Sequence, residues 1–264
     1  MVNELKNNPI NTCLIQISFS PILIIEKSIN DLQEIFRKTG FPIFKEIKDT
    51  IYTIDSNTQE TSNIGNKRWV FISLDEQELI LLDKFQITLQ VTKYTNFGIF
   101  IDKFNNILNN FSSVIDIPNG IVINKIGLRY ANCVENPDNF KFFFKQNYHG
   151  LTLPESIKAK GFQLINSTIR CLLDEDLVKK TNLLLRVYQN DIGIMIPMNI
   201  LALKEKKSDE FDVITFFDLD LTMVFNNNVL MELKEISKFA QNLNDIASKI
   251  FFDSITKEGE KEWQ

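Results

Sequence analysis

Two aspartates and a threonine alternate in residues 214–222 (ITFFDLDLT), close to the C-terminal end of the sequence. Side chains that alternate along a β-strand point to the same face, so Asp218, Asp220 and Thr222 are expected to stand side by side. Carboxylates paired in this way can supply a nucleophile and a general acid/base, with Mg²⁺ bound nearby. This face of the predicted strand is therefore the first candidate for chemistry in the sequence.

The sequence around this motif argues against phosphatase chemistry. The pattern resembles the first motif of the haloacid-dehalogenase phosphatases, and that resemblance implies a parallel sheet continuing after the motif, with a later lysine and an acidic metal pair. The residues between Asp220 and Gln264 predict only one helix and a tail. We therefore favour the alternative interpretation, a strand whose polar face carries two carboxylates toward solvent or toward basic partners.

Arg129 is the third candidate charge, and it lies in residues 122–132 (VINKIGLRYAN). Apolar and polar residues alternate through this stretch, which predicts a half-buried strand near the middle of the chain. An arginine that is partly buried needs a carboxylate or several carbonyl groups as partners. Asp218 or Asp220 can provide the carboxylate, so a structural ion pair is favoured over an arginine that anchors a ligand.

Other catalytic patterns are weaker. A single histidine, His149, would have to carry any histidine-based metal site or Ser-His-Asp arrangement alone. Neither GxxxxGK[ST] nor GxGxxG occurs, and the three cysteines form no CxxC pair. We therefore expect no catalytic residue, no metal ligand and no cofactor.

The elements that position these residues are predicted to be hairpins of strands with a few long helices. Alternation predicts strands over 12–19, 68–74, 78–83, 85–92, 161–173, 182–188, 193–198 and 212–224, and spacings of three and four predict helices over 25–38, 95–111 and 228–252. Hairpins outnumber βαβ crossovers, which indicates an α+β fold with antiparallel sheets and helices packed on one face.

Two halves of the chain repeat the same pattern. Residues 68–111 and 161–252 each predict several strands followed by one long helix, which suggests that the halves 1–135 and 161–264 arose by a distant internal duplication. The connecting segment, 136–160, is loop-like apart from a cluster of aromatic residues. These residues are our candidates for an interaction surface with a partner or a second copy of the chain: Phe140, Phe142, Phe143 and Phe144.

The composition is that of a soluble globular protein, with 44% hydrophobic and 24% charged residues. The net charge of −5 argues against a broad nucleic-acid-binding surface, although it does not exclude a local basic groove. The N-terminus lacks a signal-peptide pattern, and no apolar run reaches the ~18 residues of a membrane span. We therefore expect a cytoplasmic protein that does not enter a membrane.

Eight short segments carry a resemblance to a known family: NxPI, QISFSP, GFPIF, the Trp69 strand, KYTNFGIF, IGLRYAN, DLDL and a terminal F-x-x-x-I-T…W. In their order and spacing over residues 8–263 the chain resembles a sporadically distributed prokaryotic family of proteins of similar length. The resemblance implies no assigned activity and no established catalytic residue. The scattered occurrence of the family is similar to that of mobile defence or toxin–antitoxin cargo.

Three functions follow as hypotheses. We favour a non-catalytic protein-binding or regulatory protein that acts through a protein partner or as a homo-oligomer. The resemblance implies that it is a component of a mobile defence or toxin–antitoxin system. The alternative is an enzyme or nucleotide-responsive module that uses Arg129, Asp218 and Asp220, and a deep pocket containing those groups would support it. Nucleic-acid binding is third, because it needs a concentrated basic stripe that the sequence does not display.

Overall fold

A nine-stranded antiparallel sheet organises the protein. The computed structural model describes residues 9–48, 52–54, 61–63, 67–115, 120–135, 137–149, 166–176, 178–190, 197, 200–201 and 213–264. The strands are β1 (Ile10–Phe19), β2 (Ile43–Lys48), β3 (Tyr52–Ile54), β4 (Thr61–Asn63), β5 (Lys67–Ile72), β6 (Glu78–Leu82), β7 (Gln86–Val91), β8 (Ile121–Val134), β9 (Asn166–Glu175), β10 (Lys179–Asn190) and β11 (Ile214–Met231). Strands β3 and β4 form a separate hairpin.

Helices cover one face of the sheet. They are α1 (Ile29–Lys38), α2 (Phe97–Ile115), α3 (Pro137–Phe143), α4 (Leu233–Ser254) and α5 (Lys257–Trp263), with short 3-10 turns at Leu23–Glu26 and Gln146–Tyr148. Alternate residues of the strands, such as Ile126 and Leu128, are fully buried against the apolar stripes of α2 and α4. The α+β fold class with antiparallel pairing is thereby confirmed.

Strands β1 and β8 form the central pair of the sheet. The full order is β2-β5-β6-β7-β1-β8-β11-β10-β9, so four strands lie beyond β1 and three beyond β8, and each side includes a set of three strands that are consecutive in the chain, β5–β7 and β9–β11. Each set of three is followed in the chain by a long helix, α2 on one side and α4 on the other. Residues of 1–135 and of 161–264 contribute to one sheet and one hydrophobic core, and an ancestral duplication stays a prediction.

The predicted end of the first helix shows how local sequence sets an element boundary. Gly40 has φ +110°, a conformation that L-residues rarely adopt. The N–H of Phe41 donates to the carbonyl of Phe36 at 2.9 Å, as in a Schellman motif. The predicted role of Gly40 as the residue after the helix is confirmed, although the helix itself begins at Ile29 after the 3-10 turn.

The predicted start of the last helix is wrong. Strand β11 continues to Met231, because its final residues pair with Ile121–Ile123 of β8 after an irregularity between Val224 and Val229. The asparagines at 226–228 lie in this irregular stretch and do not cap the helix. Glu232 is the N-cap instead, and it forms a capping box with Glu235.

The connecting segment also differs from the prediction. Residues 137–143 form α3 rather than a loop, and Phe143 stacks on Trp263 of α5. Phe144, the residue after α3, stacks on Phe217 of β11. The predicted strand at 193–198 lies outside the described residues apart from position 197, as does the first part of the strand predicted at 161–173. Among the helices that the structure describes, none is both long and apolar enough to cross a membrane.

Candidate functional site

Arg129 and Asp218 form a buried, bidentate ion pair. The Nε of Arg129 donates to Oδ1 of Asp218 at 2.8 Å, and its Nη2 donates to Oδ2 at 2.6 Å. Arg186 of β10 donates from Nε to the same Oδ2 at 3.0 Å. A single carboxylate, 0% exposed, therefore accepts hydrogen bonds from two guanidinium groups.

Strand register explains this arrangement. Arg186 lies directly opposite Asp218 in the β10–β11 pair, and Arg129 lies opposite Asp220 in the β8–β11 pair. All four side chains point to the sheet face away from α2 and α4, since they alternate with residues of the helix-covered core. Phe216, fully buried on the same face, helps to exclude water from Asp218.

Asp220 is held less tightly than Asp218. Its side chain is 31% exposed, and its Oδ2 lies 3.6 Å from Nη2 of Arg186. Burial raises the pKa of Asp220, while the charges of Arg129 and Arg186 act in the opposite direction. The Nη2 of Arg186 lies 2.9 Å from Oδ2 of Asp218 but makes no hydrogen bond, so one donor of this network is poorly directed.

This geometry does not suit nucleophilic attack by Asp218. Both of its oxygens accept arginine hydrogen bonds, and the side chain has no contact with solvent. The structure thus brings Arg129, Asp218 and Asp220 together as the sequence suggested, in the form of the structural ion pair. Sequence reasoning missed Arg186, whose only signal was its place in the alternation of β10.

The aromatic cluster is mostly part of the core. Phe140 and Phe144 are buried and stack on each other with ring centroids 4.6 Å apart, and Phe143 stacks on Trp263 at 4.3 Å. Phe142 is 48% exposed and Phe143 is partly exposed. Phe140 and Phe144 are therefore buried in the core and not on a surface, and an interaction surface at Phe142 and Phe143 stays a prediction.

A cavity of about 300 Å³ lies on the opposite face of the sheet, between the start of α2 and the middle of α4. Exposed residues such as Thr95, Gly98 and Asp245 form its rim, whereas Tyr130, Asn132 and Leu219 at its floor are buried. The described lining residues are Pro9, Ile10, Tyr94, Thr95, Asn96, Phe97, Gly98, Tyr130, Asn132, Leu219, Gln241, Asn244, Asp245, Ala247, Ser248, Phe251 and Phe252. Apolar rings therefore surround a small set of amides and hydroxyls.

The polar groups of the cavity come from distant parts of the chain. The hydroxyl of Tyr130 donates to Oδ1 of Asn244 on α4 at 2.8 Å. Asn132, only 2% exposed, donates from Nδ2 to the carbonyl of Phe217 at 2.9 Å. Its Oδ1 accepts no hydrogen bond from a described residue and is not among the fully buried atoms that lack a partner, so it keeps contact with solvent. An accessible acceptor at the floor of a cavity is the kind of group that orients a ligand.

Groups that often perform catalysis are constrained here. Burial raises the pKa of the Cys13 thiol well above its ordinary value, and it does the same for the Tyr130 hydroxyl. Nε2 of His149 lies 2.7 Å from the carbonyl oxygen of Phe144, outside the cavity. Within the described ranges, no three His, Cys, Asp or Glu residues are grouped so that they could hold a metal ion.

Strand β8 connects the two sites. Arg129 points to the ion-pair face, whereas Tyr130 and Asn132 point into the cavity, as the alternation of a strand requires. Arg129 was among the predicted site residues, whereas Tyr130 and Asn132 were not. Their signal was present, because an asparagine on the apolar face of a predicted strand calls for a hydrogen-bond partner.

No protein-family model matches the chain, and no curated protein matches it. The family resemblance drawn from the sequence stays a prediction. Its segments nevertheless meet at the cavity: NxPI supplies Pro9 and Ile10, KYTNFGIF supplies residues 94–98, and IGLRYAN supplies Tyr130 and Asn132. The interpretation of the cavity therefore depends on its geometry and chemistry.

Proposed function

We propose that the protein is a non-catalytic binding protein with a regulatory role, and that the cavity between α2 and α4 is its binding site. The carrying observation is the side chain of Asn132, almost completely buried at the floor of a cavity walled by aromatic rings, whose Oδ1 accepts from no described residue. A volume of about 300 Å³ is within the range of small-molecule pockets. Few directed polar groups in an apolar wall are typical of such pockets.

The chemistry of the lining supports binding more than catalysis. Most of its polar groups are amides and hydroxyls, which donate and accept hydrogen bonds without carrying charge, and Asp245 is the one ionisable carboxyl among the described lining residues. The Arg129, Asp218 and Asp220 network supports the enzyme or nucleotide-responsive alternative less well. Its central carboxylate is fully buried and already paired.

The place of the cavity supports a regulatory role. It lies between α2 and α4, the two helices that follow corresponding sets of strands, and we further propose that these sets descend from one duplicated unit. A ligand that contacts both helices stabilises one relative arrangement of them. A protein partner or a second copy of the chain that recognises this arrangement would bind only when the cavity holds its ligand. Such ligand-dependent binding fits the mobile defence or toxin–antitoxin setting.

The test is a cavity-filling substitution with a matched control on the same helix. Ser248→Leu places an isobutyl group in the cavity, whereas Asn242→Leu adds a leucine at an exposed position outside it. Thermal unfolding is recorded with a panel of amino acids, nucleosides, nucleotides and sugars. Wild type and Asn242→Leu are expected to gain about 5–10 °C in Tm at ~100 times Kd of a ligand.

Ser248→Leu is expected to lose that gain. If no compound of the panel raises the Tm of wild type, or if Ser248→Leu responds as strongly as Asn242→Leu, the cavity is not the binding site and the proposal fails.

A further inference from the structure

We propose that the cavity binds an apolar amino acid residue through its free α-carboxylate, either as the free amino acid or as the C-terminal residue of a polypeptide. This inference rests on the proposed binding function and specifies its ligand. It depends on three groups of the lining that face the same space: the first turn of α2, the buried amide of Asn132, and the aromatic wall.

The first turn of α2 offers two backbone donors. The N-cap residue Asn96 accepts the N–H of Ile99 through Oδ1 at 2.9 Å and the N–H of Phe100 through its carbonyl at 3.2 Å. The N–H groups of Phe97 and Gly98 donate to no described residue, and both residues line the cavity. Unsatisfied N–H groups at a helix start are donors for an anion.

The charge at this helix end is also uncompensated within the helix. Helix α2 has 19 residues and carries no acidic residue in its first turn. Its aligned peptide dipoles place roughly half a positive charge at the N-terminus. Gly98 has no side chain to cover its N–H, so a carboxylate can approach the backbone directly.

The second, independent observation is the amide of Asn132. Its side chain is almost completely buried, its Nδ2 is used by the carbonyl of Phe217, and its Oδ1 accepts from no described residue. This oxygen keeps contact with solvent, so a ligand that displaces the solvent must supply a donor in its place. A ligand N–H would satisfy it, and an α-amino or amide N–H is the donor that stands next to an α-carboxylate.

The other lining residues of the cavity determine which side chain and which charge the ligand can carry. Phe97, Leu219 and Phe251 provide an apolar wall for a side chain. The described lining residues include the acidic Asp245 but neither lysine nor arginine. A phosphate group, with its larger negative charge, would meet no cationic side chain there, whereas a single carboxylate needs only the helix terminus.

The experiment is isothermal titration calorimetry of the full chain with L-leucine, L-leucinamide and N-acetyl-L-leucine. L-Leucine is expected to bind and L-leucinamide to bind about tenfold more weakly or worse, because the amide lacks the charge that the helix terminus attracts. Tighter binding of N-acetyl-L-leucine than of L-leucine identifies a polypeptide C-terminus as the source. The reverse order identifies the free amino acid, whose ammonium group Asp245 attracts.

A variant that preserves the helix cap tests the geometry. Asn96→Asp keeps an N-cap of equal quality and favourable charge for the helix, so Tm is expected not to fall. The new carboxylate repels the ligand carboxylate, and leucine affinity is expected to drop about tenfold. Asn106→Asp makes the same charge change at an exposed position of α2 outside the cavity, and its affinity is expected to match wild type.

The results separate this inference from the proposed function. If L-leucinamide binds as well as L-leucine, if neither L-leucine nor its N-acetyl derivative binds, or if both aspartate variants weaken binding equally, the carboxylate inference is overturned. The proposed function survives that result when another compound of the panel still binds wild type and not Ser248→Leu.

Discussion

Replacing Asp218 by asparagine removes the charge that two buried arginines share, with almost no change in side-chain shape. In the native protein the carboxylate accepts from Arg129 at 2.8 and 2.6 Å and from Arg186 at 3.0 Å. An asparagine carries no charge, and its single oxygen can at best take the place of Oδ2, which leaves an NH₂ group facing the Nε of Arg129. The substitution therefore leaves a buried guanidinium without its counter-charge.

The magnitude follows from the burial of the pair. Removing one partner of a buried ion pair costs about 3–5 kcal/mol, because the remaining charge is neither solvated nor paired. Asp220 lies 3.6 Å from Arg186 and supplies part of the missing charge. We therefore expect Asp218→Asn to lower the free energy of unfolding by about 3 kcal/mol, at the lower end of that range.

Asp220→Asn is the matched control, since it makes the same chemical change two residues along the same face of β11. Its carboxylate is partly exposed and more loosely paired, so we expect a change within about 1 kcal/mol. Urea unfolding followed by circular dichroism gives both values, with unchanged m-values indicating a comparable unfolded state. A loss below about 1 kcal/mol for Asp218→Asn, or equal losses for the two variants, would refute the assignment of Asp218 as the centre of the network.

Three further predictions concern other parts of the fold. Gly120→Ala is expected to lower the free energy of unfolding, measured with urea, by at least about 2 kcal/mol, and Gly40→Ala by less. Both glycines have positive φ, but only at Gly120 would a Cβ meet the β11 backbone, so equal losses would contradict this prediction. The hydrogen bond from the ammonium of Lys179 lowers the pKa of Asp176 to about 2 from 3.8. Its stabilisation is therefore present above pH 3.8 and lost as the pH falls to about 2; a carboxyl NMR titration with an unshifted midpoint would disprove it. Cys13, fully buried with a raised pKa, is expected to react with a thiol reagent only on unfolding, and labelling of the native protein at this position would be inconsistent with the core.

Much of the fold is predictable because its strands and helices have regular periods. The alternation that predicted the central strand corresponds to β8, and the apolar spacing in 95–111 corresponds to most of α2. The ion pair of Arg129 with Asp218 followed from the cost of burying an arginine alone. In each case the decisive information lies within one short segment or in the chemistry of one side chain.

The errors arose where tertiary contacts override local signals. The asparagines at 226–228 are typical of a helix start, yet pairing with β8 extends β11 through them to Met231. The cavity could not be predicted, because it forms where the start of α2, the middle of α4 and the floor of the sheet meet. The periodicity of a single segment carries no information about the space left between three segments that are distant in the sequence.

The placement of Arg129 and Tyr130 at adjacent positions of β8 has a mechanical consequence. One peptide unit joins the side chain that holds Asp218 to the side chain that bonds Asn244 on α4. A displacement of this peptide unit would therefore strain both hydrogen bonds together. Rigidity on the helix-covered side of the sheet and rigidity of the ion pair on the reverse side thus depend on the same short length of backbone.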